Sequence, residues 1–316
     1  MRKYHLKKLN SKPYYQAEPW TITEDNFQVE NNHHNETIFS IGNGYMGVRG
    51  TLEEDYSGPE GSTTPGIYIN GVYASEKILY DEEPPQQPQK TQTIISLADW
   101  TKINLYLDGE KFDLLKGTVE GYRRTLNMKE GKLERSLIWT SPAGKKAYIQ
   151  ITRLLSFTDY HIGVIKYSVK PLNFSGSIKI ISEVEGNVRN YYHLRDKKAL
   201  KTIDKKIQKD GGFLLQKVNT TDFNIAISMV HKLDCSSEIL EMDSITGEER
   251  IAHELTVDLA ENQGITLYKY VSFFTSLDCE LENNPQECVE RPAEKELSKK
   301  AFSAARNSQS AINLTL

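Results

Sequence analysis

Between about residues 100 and 275 apolar side chains return at every second position, and that period predicts strands with one dry and one wet face. Ile103 to Leu107 is followed by Asp108-Gly109 and a second apolar run, the strongest short-range signal for a tight hairpin. Leu133 to Trp139 and Ala147 to Leu155 flank Ser141-Pro-Ala-Gly144 and predict another hairpin with a longer turn. Ile162 to Val169 and Ile178 to Val184, on either side of Pro171 to Gly176, read in the same manner. Phe223, Ile225, Ile227 and Met229 fall on one face of a further strand. The last pair sets Ile251, His253, Leu255, Val257 and Leu259 against Ile265, Leu267, Val271 and Phe273 across Glu261 to Gly264. Half-apolar strands in series predict antiparallel sheets stacked face to face, a mainly β fold.

Outside this region the pattern changes. The first 30 or so residues carry few periodic apolar positions and predict an arm anchored by Trp20, Ile22 and Phe27. Residues 31–73 are dense in Gly, Asn, Tyr and charge. Asp81 to Lys90 is polar and proline-bearing, so it is a loop and not a central strand. Near the C-terminus Pro292 suits a first helical position, and Leu297, Ala301, Ala304 and Ala305 follow at helical spacing, predicting one short helix over 292–306. Its narrow stripe has no obvious partner within the chain. No second periodic element follows in 307–316. The expected division is a β domain over 1–278 and a truncated helical linker over 279–316.

Composition narrows the function. The chain has 316 residues and a formal net charge of −4, with a pI near 6.0, which offers no broad field for nucleic acid or anionic lipid. The basic N-terminus leads into polar sequence and not an apolar core, so a secretory signal is not expected. No apolar run approaches the roughly 20 residues of a membrane span. Cys235, Cys279 and Cys288 are too few and too irregularly spaced for a disulfide framework or a zinc cluster. A cytoplasmic location, no cofactor and no metal are the expectations.

Candidate chemistry concentrates near residues 33–73. His33 and His34 are adjacent; on a strand they would face opposite ways and could not share a metal. Gly42 to Gly50 is superficially similar to a phosphate loop, but it lacks Gly-Lys-Ser/Thr and no helical pattern follows, so its glycines are read as turn and close-approach positions. Glu53-Glu54-Asp55 is the densest acidic knot, either a sugar-hydroxyl or acid/base cluster or, the expected reading, a solvated loop. Arg49 is expected to pair with Glu36 or Glu53 inside the fold. Tyr45, Tyr56, Tyr68, Tyr73 and Tyr80 form a cluster within 17 tyrosines; such rings serve domain interfaces, the reading favoured here, or stack on pyranoses. His161, His193, His231 and His253 are scattered with no recognisable acid partner, and no nucleophile elbow is present.

Three linked blocks carry a family likeness: Asn35-Glu-Thr-Ile-Phe-Ser-Ile-Gly-Asn-Gly-Tyr-Met-Gly-Val-Arg-Gly50, Glu53-Glu-Asp-Tyr-Ser-Gly58 and Pro65-Gly-Ile-Tyr-Ile-Asn-Gly-Val-Tyr73, with Trp20 upstream. In that order they resemble the opening of glycoside hydrolase family 65, which includes maltose, trehalose, kojibiose and nigerose phosphorylases. The resemblance implies a galactose-mutarotase-like super-β-sandwich, then linker helices, an (α/α)6 barrel and a small β domain. It also implies that the barrel holds the general-acid Glu and the phosphate that attacks the anomeric carbon in its inverting reaction. This chain ends within the linker, so no catalytic residue is carried over. Asn43, Tyr45, Arg49, Glu53, Tyr56, Tyr68 and Tyr73 are the candidates for a barrel interface or a sugar rim. The expected function is a noncatalytic N-terminal domain that supports the barrel and oligomer contacts, with an α-glucoside ligand and a homodimer as partners. The alternatives are a stand-alone carbohydrate-binding module and a mutarotase-like enzyme.

Overall fold

The computed structural model describes residues 15–278 except 79, 81–85, 190–197, 210, 236 and 238, together with 301 and 303–307. The N-terminal part contains β1 (Gln16–Glu18), β2 (Thr21–Glu24), α1 (Val29–Ile38), β3 (Ile41–Gly42), β4 (Met46–Val48), β5 (Ile67–Ile69), β6 (Tyr73–Lys77) and β7 (Lys90–Ile94). Next come β8 (Ile103–Leu107), β9 (Glu110–Lys111), β10 (Thr118–Asn127), β11 (Lys132–Thr140), β12 (Lys146–Leu155), β13 (Ile162–Pro171) and β14 (Gly176–Glu185). The remainder is β15 (Leu200–Gln208), β16 (Gly211–Val218), β17 (Asn224–Cys235), β18 (Ile239–Thr246), β19 (Arg250–Leu259) and β20 (Ile265–Thr275).

Two antiparallel sheets follow from the alternating pattern. The large one has ten strands in the order β1-β2-β10-β11-β12-β13-β20-β17-β16-β15, and the small one five, β18-β19-β14-β8-β9. Between them lies a core that includes Trp139, Tyr167, Ile180, Ile227, Met229, Leu255, Val257 and Phe273. Asp108 and Gly109 both adopt positive φ, 46° and 84°, which closes the β8–β9 hairpin as their sequence predicts. The β11–β12 hairpin also forms as expected.

Two other expected hairpins do not. β13 pairs with β20 in the large sheet while β14 pairs with β19 and β8 in the small one, so Leu172 to Ser175 crosses between layers. The turn 260–264 likewise carries β19 into β20 across the sandwich. A two-residue period identifies strands but not which sheet each one joins, because hairpin and arch leave the same apolar stripe.

The expected helix over 292–306 is described only at 301 and 303–307, where it is helical. It does have a partner. Ala301 packs with Leu215, Ala226 and Phe274 on the outer face of the large sheet, and Ser272 Oγ donates to the Ala301 carbonyl. Ala304 packs near Ile162, Val164 and Tyr270. Small residues let the helix approach a face that strand patterning leaves apolar on both sides.

His231 and His253 meet inside the sandwich, although they look scattered along the chain. Their Nδ1 atoms are 3.0 Å apart, His231 Nε2 lies 2.8 Å from Ser182 Oγ and His253 Nε2 lies 2.7 Å from the Gln208 carbonyl. A carbonyl only accepts, so His253 carries its proton on Nε2, accepts from His231 Nδ1–H, and leaves His231 Nε2 to accept from Ser182. Burial, then His253 and Lys269, hold His231 well below its ordinary pKa. The unfolded chain binds this proton near pH 6.5 and the folded one refuses it, so the stability is present above pH 6.5 and lost below it. Relative to His231→Gln, the native protein loses about 1.4 kcal/mol more per pH unit below 6.5, read from denaturant midpoints.

Candidate functional site

The glycine-rich segment lies against the large sheet, held there by three arginines from adjacent strands. Arg124 on β10 donates Nε–H to Glu24 at 2.9 Å and a guanidinium N–H to the Gly50 carbonyl at 3.0 Å. Arg135 on β11 binds Glu54 at 2.6 Å and Glu53 at 2.8 Å. Arg153 on β12 binds Glu53 and donates to the carbonyls of Thr51, at 2.8 Å, and Arg49, at 3.1 Å. Arg124 and Arg135 are direct cross-strand partners. Like charges so placed repel, and only the interposed carboxylates make the arrangement tenable. Burial alone would raise the Glu53 carboxyl; Arg153 and Arg135 more than offset it and hold the group below its usual range.

The acidic knot is therefore not the solvated loop its sequence predicts. Glu53 and Glu54 are buried, and only Asp55 reaches the surface, where it pairs with Lys102 and Lys111. Glu53 is buried and taken up by Arg135 and Arg153.

Arg49 pairs with Glu36 at 3.6 Å, one of its two expected partners, and also donates to Thr64 O and Thr37 Oγ1. Glu36 sits on α1, a helix that apolar periodicity does not reveal because its buried face is polar: Asn32, Asn35 and Glu36. Asn32 Nδ2 donates to Tyr56 OH and Ser62 O while its Oδ1 stays unpaired, Asn35 binds Glu24 and Tyr15, and Glu36 accepts from Thr63 and the Thr64 amide. The expectation of a strand at His33 and His34 is corrected accordingly. Among the described residues no group of three or more His, Cys, Asp or Glu is arranged to hold a metal.

The seven candidates thus divide. Arg49 and Glu53 are internal staples. Tyr56 packs edge-on against Phe27, and Tyr68 lies on β5 beside Gly66. Tyr73 packs against Phe223, 5.2 Å between centroids. Only Asn43 and Tyr45 come together in an open cleft of about 530 Å³, with Asn70, Phe157, Tyr160, Leu277 and Asp278. Tyr45 lies 5.2 Å from Tyr160 and 4.6 Å from His161, which stacks on Phe274 at 4.0 Å. Tyr45 OH donates to Asp278 Oδ2 at 2.8 Å; burial first, then Asp278, raise its pKa. Phe157 and Tyr160 were not among the expected residues, yet the turn Ser156 to His161 places two aromatic rings where polar turn residues are usual, and that was the available signal.

The comparison with known proteins decides the family. The profile described as "Glycosyl hydrolase family 65, N-terminal domain" matches residues 22–312. The chain belongs to glycosyl hydrolase family 65. It is 39% identical over 277 residues to the alpha,alpha-trehalose phosphorylase of Thermoanaerobacter brockii, covering 84% of this chain and 35% of that protein. It is 32% identical over 270 residues to the kojibiose phosphorylase of Halothermothrix orenii, covering 84% of this chain and 32% of the relative. A solved structure assigned as a kojibiose phosphorylase from human microbiome superposes with a TM-score of 0.73 at 23% identity, over 95% of this chain and 38% of that one, which shows a shared fold. The family 65 chain thus spans about a third of the length of these relatives. Among the described residues no helix is long and apolar enough to cross a membrane.

Proposed function

We propose that this chain is the noncatalytic N-terminal domain of an inverting α-glucoside phosphorylase, residues 1–278 forming the sandwich and 279–316 the start of a linker. Its task is to support an (α/α)6 catalytic barrel and oligomer contacts. The observation that carries the reading is the arginine ladder: the carboxylates of the family motif, Glu53 and Glu54 together with Glu24, are buried and bound to Arg124, Arg135 and Arg153. A general acid needs a path to the glycosidic oxygen, and carboxylates buried under arginines have none.

The purified chain, given trehalose, kojibiose or maltose with inorganic phosphate, is expected to release no glucose 1-phosphate above the protein-free rate. Turnover by the chain alone ends this reading.

A further inference from the structure

At one end of the large sheet the turns carry apolar side chains into solvent. Strand pairing places the β1–β2 turn, the β10–β11 turn, the β12–β13 turn and the end of β20 at that end, since Thr21 pairs with Asn127, Lys132 with Leu154, and Ile162 with Ser272. Trp20, Met128, Phe157 and Tyr160 sit in these turns with relative exposures of 59%, 46%, 69% and 43%. They are four of the seven large apolar residues exposed among the described residues. The strip from β2 to β20 crosses five strand spacings, about 24 Å. At its far end is the cleft floored by Tyr45 and walled by Tyr160 and Leu277.

The Asn43 and Tyr45 side chains in that cleft are already engaged. Asn43 Nδ2 donates to the Ser156 and Tyr160 carbonyls, and Asn43 Oδ1 accepts from the Tyr45 and Met46 amides, which uses both its donors and both its lone pairs. Asp278 Oδ2 accepts from Tyr45 OH and Thr275. The large exposed side chains of the strip are apolar: Met128 and Leu277 are not flat platforms for a sugar ring, and methionine beside aromatic residues is the composition of protein interfaces. β20, the last strand among the described residues, ends here, so the polypeptide that follows Asp278 starts from this surface. The relatives carry about two thirds of their length outside the matched region.

We infer that this turn end is the docking surface for the catalytic portion of a family 65 phosphorylase, with the Tyr45–Tyr160–Leu277 cleft as the socket for an apolar side chain of that portion. The inference deepens the proposed function and rests on it.

The test is hydrogen–deuterium exchange of the 316-residue chain alone and of the same chain joined at its C-terminus to the catalytic portion of the Thermoanaerobacter brockii trehalose phosphorylase. Peptides covering 128–131 and 156–161 are expected to exchange at least about tenfold more slowly in the joined protein, while those around Ile94 and Leu240 stay unchanged. Phe157→Ser with Tyr160→Ser should abolish that difference and leave the exchange of the isolated chain as it was. A joined protein that phosphorolyses trehalose without protecting these turns overturns the docking surface but not the supporting role. No protection anywhere, with no activity, overturns both. Protection of the isolated chain by millimolar trehalose or kojibiose would make the strip a carbohydrate platform, and protection that grows with the chain's own concentration would make it a contact between copies; either result replaces the inference.

Discussion

Arg135→Ala is expected to destabilise the protein by about 3–5 kcal/mol, because it strands two buried carboxylates without their shared cation. Arg135 is buried at the centre of the ladder, and its guanidinium touches both Glu53 and Glu54. Arg153 still neutralises Glu53, so the uncompensated charge falls mainly on Glu54. The measurement is the urea midpoint at constant m-value. Removing the cation together with Glu54, as Arg135→Met with Glu54→Gln, should be much milder than the single change, since Glu53 keeps Arg153 and the desolvation and attraction of the other pair are lost together. A single variant with an unchanged midpoint would mean that water reaches the ladder. The ladder also sets acid sensitivity: the Glu53 carboxyl lies below its ordinary value, so its contribution is present above the unfolded carboxylate range and lost as pH falls through the folded one.

The second large effect comes from Lys269. Its Nζ is fully buried between the sheets and donates to the Glu183 carbonyl at 2.6 Å and the Lys102 carbonyl at 3.3 Å. Burial, partly opposed by Glu183 and Asp99, pushes its pKa down to about 7 from 10.5. Between these values the unfolded chain holds a proton that the folded chain has released, so stability rises with pH across the window and is flat below it. Comparison with Lys269→Met isolates the slope due to this amine from that of all other groups. From pH 7.5 to 9.5 the native protein should gain roughly 3 kcal/mol relative to the variant, about 1.4 kcal/mol per unit. Parallel stability curves for the two proteins would show that the amine stays protonated, held by the two carbonyls.

Glycine at position 50 shows how the family motif works. A Cβ there would lie 2.6 Å from the Phe39 carbonyl oxygen, inside backbone contact distance. The close approach lets Gly50 N–H reach the Glu36 carbonyl at 2.8 Å and lets Arg124 bind the Gly50 carbonyl. The reading of this segment's glycines as turn and close-approach positions fits Gly44, at φ 88°, and Gly50.

The sequence by itself determined β8, β9, β11 to β14, β17, β19 and β20, because a residue period of two can bury only one face at a time, though β1 to β7, β10, β15, β16 and β18 went unread; it also carried the family likeness in its ordered Gly, Asn and Tyr blocks. It did not determine the sheet each strand joins, the helix at Val29–Ile38, or the fate of the acidic knot. Those depend on partners far along the chain: Glu53 meets Arg153 across a hundred residues, His231 meets His253 across 22, and α1 is held by polar contacts that no apolar stripe announces. Patterning records how one residue relates to its neighbours along the strand, whereas charge pairing and sheet membership are set by contacts between strands, and only the tertiary structure decides them.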